Sequence, residues 1–205
     1  MNIKSRIKKF ANNFLDLFDI LIEKKSRVSR LLNNELFIRD FGLLKYIKEH
    51  NMRVKYIENL NYSKSQLRQD LFVLNELGYK RKGYFVEFGA ANGLYISNTY
   101  LLEKKFEWVG LLSEPAKFWH KELINNRKCI IEKKCVWKKS GKRLNFKEVS
   151  SAEFSTIDSF SSHDNHKRIR NYGRTYQVET ISLEDLLDKY KSPHIIDYLS
   201  IDTEG

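Results

Sequence analysis

The chain has 205 residues, with 37 Lys and Arg against 26 Asp and Glu for a formal net charge of +11; 41% of its residues are hydrophobic and 13% aromatic. That apolar content supports a core and excludes a disordered chain, and 9 Gly with 2 Pro exclude collagen-like and low-complexity classes. The charge admits a polyanionic partner, but Lys and Arg are mixed with Asp and Glu along the whole length, so no specific nucleic acid is expected.

Residues 1–60 read as a helical N-terminal extension, without proline and with Gly42 as their one glycine. Ile3, Ile7, Phe10, Phe14, Leu17 and Leu21 recur at three- and four-residue steps, one stripe of a helix, with Lys4, Lys8 and Lys9 in its first turns. Such a stripe packs on its own domain or a partner helix, or lies on an anionic membrane surface through residues 1–25. A second helix is predicted over Leu36–His50. The apolar stretch Phe14–Ile22 is broken by Asp16 and Asp19, and no cleavage site follows. The expected location is therefore the cytoplasm, with peripheral contact at the inner face of the membrane as an addition. Cys129 and Cys135 stand six apart and are expected as reduced, small buried side chains; no spacing supports a zinc site.

From residue 61 onward the pattern changes to alternating strands and helices. A helix is predicted over Ser65–Leu77, capped by Ser65 and ended by Gly78. Strand 84–88 follows, then a helix over 94–104, a strand over 108–112, a helix over 116–126 and a strand from Ile130 to Trp137. Ser140-Gly141 turns the chain into a strand over 143–149. Residues 150–175 read as a polar loop and Val178–Ile181 as a short extended piece. Ser182 caps a helix over Leu183–Tyr190, and Asp197–Ile201 is the last strand. This alternation implies an α/β domain over 61–205 with a doubly wound, mostly parallel sheet. Ligands of such sheets sit at the carboxyl ends of the strands, where Glu87, Glu114 and Asp202 fall.

The run Gly83-Tyr84-Phe85-Val86-Glu87-Phe88-Gly89-Ala90-Ala91-Asn92-Gly93 carries the most information. An apolar strand enters a loop of small residues that lets backbone N–H groups approach a ligand. Roughly twenty residues on, Glu114 ends the next strand, the distance at which an acid accepts from the two hydroxyls of a ribose. Loop and acid together imply a nucleoside-type cofactor. The dinucleotide fingerprint fails twice, because Ala91 and Leu94 occupy its second and third glycine positions.

The acid-x-Gly89-x-x-x-Gly93 arrangement resembles motif I of the class I S-adenosylmethionine (SAM) methyltransferases, with Ala91 for the usual middle glycine. Further pieces stand in order: Tyr62-Ser63-Lys64-Ser65-Gln66-Leu67-Arg68-Gln69-Asp70, Ser97-Asn98-Thr99, Gly110-Leu111-Leu112-Ser113-Glu114-Pro115, Asn126-Arg127, Thr180-Ile181-Ser182-Leu183-Glu184-Asp185 and Ser200-Ile201-Asp202-Thr203-Glu204-Gly205. Together they are similar to the FkbM family of SAM-dependent methyltransferases over roughly residues 62–205. The resemblance implies methyl transfer, usually to an oxygen, in glycan, lipopolysaccharide or secondary-metabolite pathways. It implies a cofactor site drawn from Gln69, Asp70, Glu87, Gly89, Ala90, Asn92, Gly93, Glu114, Pro115, Cys135 and Val136.

An alcohol acceptor calls for a general base. Asp202 is the first candidate and Glu204 the second; each can instead cap a following helix, and Asp202 can instead hold Mg²⁺. His163, Asp164 and His166 read as a solvated loop with Lys167, Arg168 and Arg170 rather than a metal site. A family member is expected to continue past Gly205 with a helix and further strands, so the chain reads as lacking its C-terminal strands. A base-methylating nucleic-acid enzyme is the alternative from charge, but its Asp/Asn-Pro-Pro-aromatic motif is missing. A non-catalytic binding module is the third reading.

Overall fold

The computed structural model describes residues 35–149, 154–161 and 167–203. The N-terminal stripe, the His163–His166 segment and Glu204 lie outside the described residues. In chain order the elements are α1 (Glu35–Tyr46), α2 (His50–Asn59), α3 (Gln69–Glu76), β1 (Tyr84–Phe88), α4 (Tyr100–Phe106), β2 (Val109–Ser113), α5 (His120–Asn126), β3 (Ile130–Glu132), β4 (Cys135–Val136), β5 (Arg143–Glu148), β6 (Thr156–Ile157), α6 (Lys167–Arg170), β7 (Arg174–Ile181), α7 (Leu183–Lys189) and β8 (Tyr198–Ile201). The chain forms two compact units, residues 1–48 and 49–205. In the first, α1 stops at Tyr46, so the helix predicted to His50 ends early and α2 begins separately.

The second unit is mixed α/β and holds two sheets. One is parallel throughout, in the order β3-β2-β1-β8. Its inner strands are buried on both faces and therefore carry continuous apolar runs: Phe85, Val86, Leu111 and Leu112 are wholly inaccessible. Val86 pairs with Leu111 on one side and Leu199 on the other. Helix α7 closes one face, placing Leu186 in a cluster with Val86, Phe88, Leu111 and Ile181. Each such side chain adds about 1.5–3 kcal/mol. Ser182 Oγ accepts from Asp185 N at 3.1 Å, the predicted cap.

The second sheet has the order β4-β7-β5-β6 and was not foreseen as a sheet. β5 and β7 run antiparallel from Arg143↔Glu179 to Glu148↔Arg174, while β4 joins β7 in parallel. Ala116, Cys135, Phe146 and Val178 form its core, with Trp119 packed against them.

The departures from expectation have local causes. The strand predicted over 130–137 divides because Glu132 Oε1 accepts from Lys133 N and Lys134 N, at 2.8 and 3.0 Å, and turns the chain out of one sheet toward the other. The helix predicted over 94–104 starts only at Tyr100. Asn92 Oδ1 takes the N–H groups of Leu94 and Tyr95, and Ser97 Oγ takes that of Tyr100, so short polar side chains compete with the helical ladder. Helix α3 starts at Gln69, not near Ser65, after Arg68 in the left-handed region; Ser65 instead forms an isolated parallel bridge with Ile96. The polar stretch 150–175 contains β6, α6 and the start of β7, which extends the predicted Val178–Ile181 piece back to Arg174. Strand β8 begins one residue after Asp197, whose carboxylate accepts from Tyr84 N and Lys80 Nζ.

Candidate active site

In an open parallel sheet the ligand crevice lies where the strand order reverses, outside the carboxyl ends. Here that point is β1, flanked by β2 and β8. A cleft of about 520 Å³ opens there, a size typical of small-molecule sites. Of the residues expected at the site, Gly89, Glu114, Pro115, Cys135, Val136 and Asp202 line it. Gln69, Asp70, Glu87, Ala90, Asn92 and Gly93 are not among its lining and act behind it.

Gly89 leaves β1 with φ +76°, and a Cβ there would lie 1.8 Å from the Asp202 carbonyl oxygen. Only glycine lets the loop pass this close to the end of β8. Ala91 also has positive φ, at 46°, and its N–H donates to Glu114 Oε2 at 2.8 Å. Ala116 N donates to Glu114 Oε1, also at 2.8 Å. The Glu114 carboxylate thus ties the loop after β1 to the loop after β2. Burial pushes its pKa up to about 7, against the two backbone donors that favour the charged form; the Glu87 and Glu148 carboxylates push the same way as burial. His120 Nε2 donates to the Glu114 carbonyl at 2.8 Å and so braces the same turn.

Glu87 is a support for the loop rather than part of its surface. Its Oε1 accepts from Asn98 N at 3.1 Å and its Oε2 from Thr99 Oγ1 at 2.5 Å. Burial raises its pKa against the nearby Arg127, Thr99 and Asn98. Arg127, at the end of α5, has a fully buried side chain. Its Nε donates to Glu103 Oε2 at 2.7 Å, Nη1 to Gly93 O at 3.2 Å and Ser97 Oγ at 3.1 Å, and Nη2 to Thr99 Oγ1 at 2.8 Å. Asn126 Nδ2 adds a bond to Asn92 O at 2.9 Å. Asn92 and Gly93 are held from beneath by these two side chains, and a Cβ on Gly93 would meet Arg127 Cγ at 2.6 Å.

Asp70 is wholly buried and accepts from Ser63 Oγ, Ser65 Oγ and Leu71 N at 2.6, 2.8 and 2.8 Å. It fixes the segment that carries Gln66 to the cleft; Gln69 Oε1 does the same by accepting from Leu67 N at 2.8 Å. Burial raises the Asp70 pKa, opposed by the two serines and the Leu71 N–H. Asp202 lies exposed at the mouth, with Asn98 Nδ2 3.4 Å from its Oδ2 and 3.0 Å from Ser200 Oγ. Among the described residues, no three His, Cys, Asp or Glu side chains converge to hold a metal ion.

The far wall was missed by the sequence reading. Trp119, Trp137, Phe146 and Phe154 present rings to the cleft, and Tyr95 stands at its other side. Tyr176 OH, on β7, accepts from Lys117 N at 2.9 Å and donates to Glu148 Oε2 at 2.7 Å, which also accepts from Phe118 N. The second sheet thereby grips the turn that carries Trp119. The available sequence signal was positional: Trp119 and Trp137 each stand a few residues past a strand's carboxyl end.

Among known protein families, the Methyltransferase FkbM domain matches residues 87–205, more than half of the chain. The chain belongs to the FkbM methyltransferase family. Neither curated proteins nor solved structures give a match. The FkbM match begins at Glu87 and takes in the whole glycine loop, Glu114, both sheets past β1 and Asp202. The residues at the cleft suit a nucleoside sulfonium: an acid beside a glycine turn, flat apolar walls, and no Lys or Arg among the described lining residues. No described helix is long and apolar enough to cross a membrane.

Proposed function

We propose that this FkbM protein is a SAM-dependent O-methyltransferase whose acceptor is a glycan, a lipid-linked sugar or a related metabolite, built on a doubly wound class I methyltransferase sheet. The observation that carries the reading is Glu114. An ionised carboxylate offers about four acceptor positions; two are taken by Ala91 N–H and Ala116 N–H. The remaining two, facing a cleft at the end of β2, suit the paired hydroxyls of a ribose. Trp119, Cys135, Val136 and Phe146 would flank the adenine, and the backbone at Gly89–Ala91 would run beneath the amino-acid end.

SAM, when bound, supplies a methyl group on a charged sulfonium, which is already a good leaving group. The chain's own contribution is position and dryness. Asp202, at the mouth beside Gly89, would take the proton from the acceptor hydroxyl, held by Asn98 Nδ2. The rings of the second sheet would exclude water from the opposite side. Glu204 remains the second candidate base, and Mg²⁺ at Asp202 the alternative to direct proton transfer. Residues 1–25 would bring the domain to an anionic membrane surface in the cytoplasm.

Calorimetric titration tests the cofactor. SAM should bind and NAD should not, and Glu114→Ala should weaken SAM by about 1–3 kcal/mol, the cost of unpaired hydroxyls. Equal SAM affinity in the folded wild type and variant would remove Glu114 from the site.

A further inference from the structure

A second, separate cleft of about 460 Å³ is lined by Asn61, Tyr62, Lys64, Tyr100, Lys104 and Lys105, with Leu101 at its floor. The two clefts differ in sign. Among the described residues, the charged side chains lining the first are Glu114 and Asp202, whereas those lining the second are all lysines. They are also neighbours: Lys64 and Gln66 face different clefts from one short segment, which Ser65 pins to Ile96 by a parallel bridge.

The lysines are poorly neutralised. Lys104 Nζ lies 3.0 Å from Glu103 Oε1, but Glu103 also accepts from Arg127 Nε and Lys128 N. Among the described residues Lys64 and Lys105 have no ion-pair partner. Lys105 Nζ stands 3.8 Å from the centroid of the Tyr62 ring, and Lys104 Nζ 5.6 Å from that of Tyr100, so ring faces hold the ammonium groups over the cleft. The two phenols and the Asn61 amide carry no hydrogen bond among the described residues. A lone surface lysine attracts little, but several in one concavity focus the field.

We propose that this second cleft is a binding site for a saccharide phosphate. The ammonium groups of Lys64, Lys104 and Lys105 take the phosphate, and Tyr62, Tyr100 and Asn61 take ring hydroxyls. As the anchoring subsite of the methyl acceptor it rests on the methyl-transfer reading; as a binding site it does not.

The full chain is titrated at low ionic strength with glucose 6-phosphate, inorganic phosphate and glucose. Glucose 6-phosphate should bind more tightly than either fragment. Lys64→Glu with Lys105→Glu should weaken it at least about tenfold, the loss of charge-assisted hydrogen bonds. SAM affinity in the same double variant should equal that of wild type. Tyr62→Phe, which keeps the ring face under Lys105, should weaken glucose 6-phosphate severalfold and leave inorganic phosphate unchanged. Unaltered glucose 6-phosphate affinity in a folded double variant overturns the site, and so does glucose 6-phosphate binding no better than inorganic phosphate. If the double variant fails to melt cooperatively, Lys64→Gln alone carries the same comparison. Absence of SAM binding in every form would sink the methyl-transfer reading and leave the phosphate site to stand or fall on its own titration.

Discussion

The two sheets meet the cleft with opposite chemistry. The parallel sheet delivers backbone and carboxylates: Gly89, Ala91 and Glu114 come from strand ends tied together by buried hydrogen bonds. The mixed sheet delivers side-chain surface: Trp137, Phe146 and Phe154 line the cleft with apolar rings. In the first, buried polar side chains such as Glu87, Glu114 and Arg127 are partnered by other parts of the same half, so removing one member leaves others buried and unpaired. In the second, a ring can be trimmed with loss of contact area alone.

The largest expected effect is therefore in the parallel half. Arg127→Met leaves Glu87 without its cation and Glu103 without its buried one, and should cost about 3–5 kcal/mol in urea unfolding. Gly89→Ala follows, at about 3 kcal/mol, since it adds a clash with Asp202 O to a left-handed backbone; SAM titration should be lost with it. Glu114→Gln changes the pH dependence of stability. A buried carboxyl raised from 4.5 to about 7 binds its proton more tightly in the folded state. Its contribution is complete below 4.5 and is lost as pH rises through about 7. Wild type should lose on the order of 3 kcal/mol across that window relative to Glu114→Gln, read as two denaturation curves at each pH. On the proposed role of Glu114 as ribose acceptor, SAM affinity of wild type should rise over the same window as the carboxylate ionises. The smallest effect belongs to the mixed half: Trp137→Ala should weaken SAM by about 0.5–1.5 kcal/mol with little change in melting temperature. A large stability loss with unchanged SAM affinity would erase the contrast between the halves.

What the sequence disclosed divides along the same line. Strand β1, the Gly89 loop, the Ser182 cap and the acid at Glu114 were legible because each is a short-range pattern: an apolar run, small residues, a side chain reaching three positions on. The mixed sheet was not, because β4 pairs with a strand more than forty residues away and no local pattern states that Val136 lies beside Ile181. Glu132 looked like one more strand residue, and its turn back to Lys133 and Lys134 depends on a rotamer. Asn126-Arg127 was visible as a motif piece, yet nothing in its spacing tells that the guanidinium is buried under the loop. Asn92 and Ser97 delay α4 by competing for backbone donors, a contest that helix periodicity does not register.

The guanidinium under the loop also constrains how this sequence can drift. Arg127 serves Glu103, Gly93, Ser97 and Thr99 at once, and the space beneath Gly93 is filled by its own stem. A change at any one of these positions strands the others in a dry interior, so single steps away from the set descend in fitness before a second step can compensate. Divergent chains should carry the whole quintet or a wholesale replacement of it. A sequence holding the glycine loop with only part of the set would mark a cleft whose floor has been rebuilt from other material.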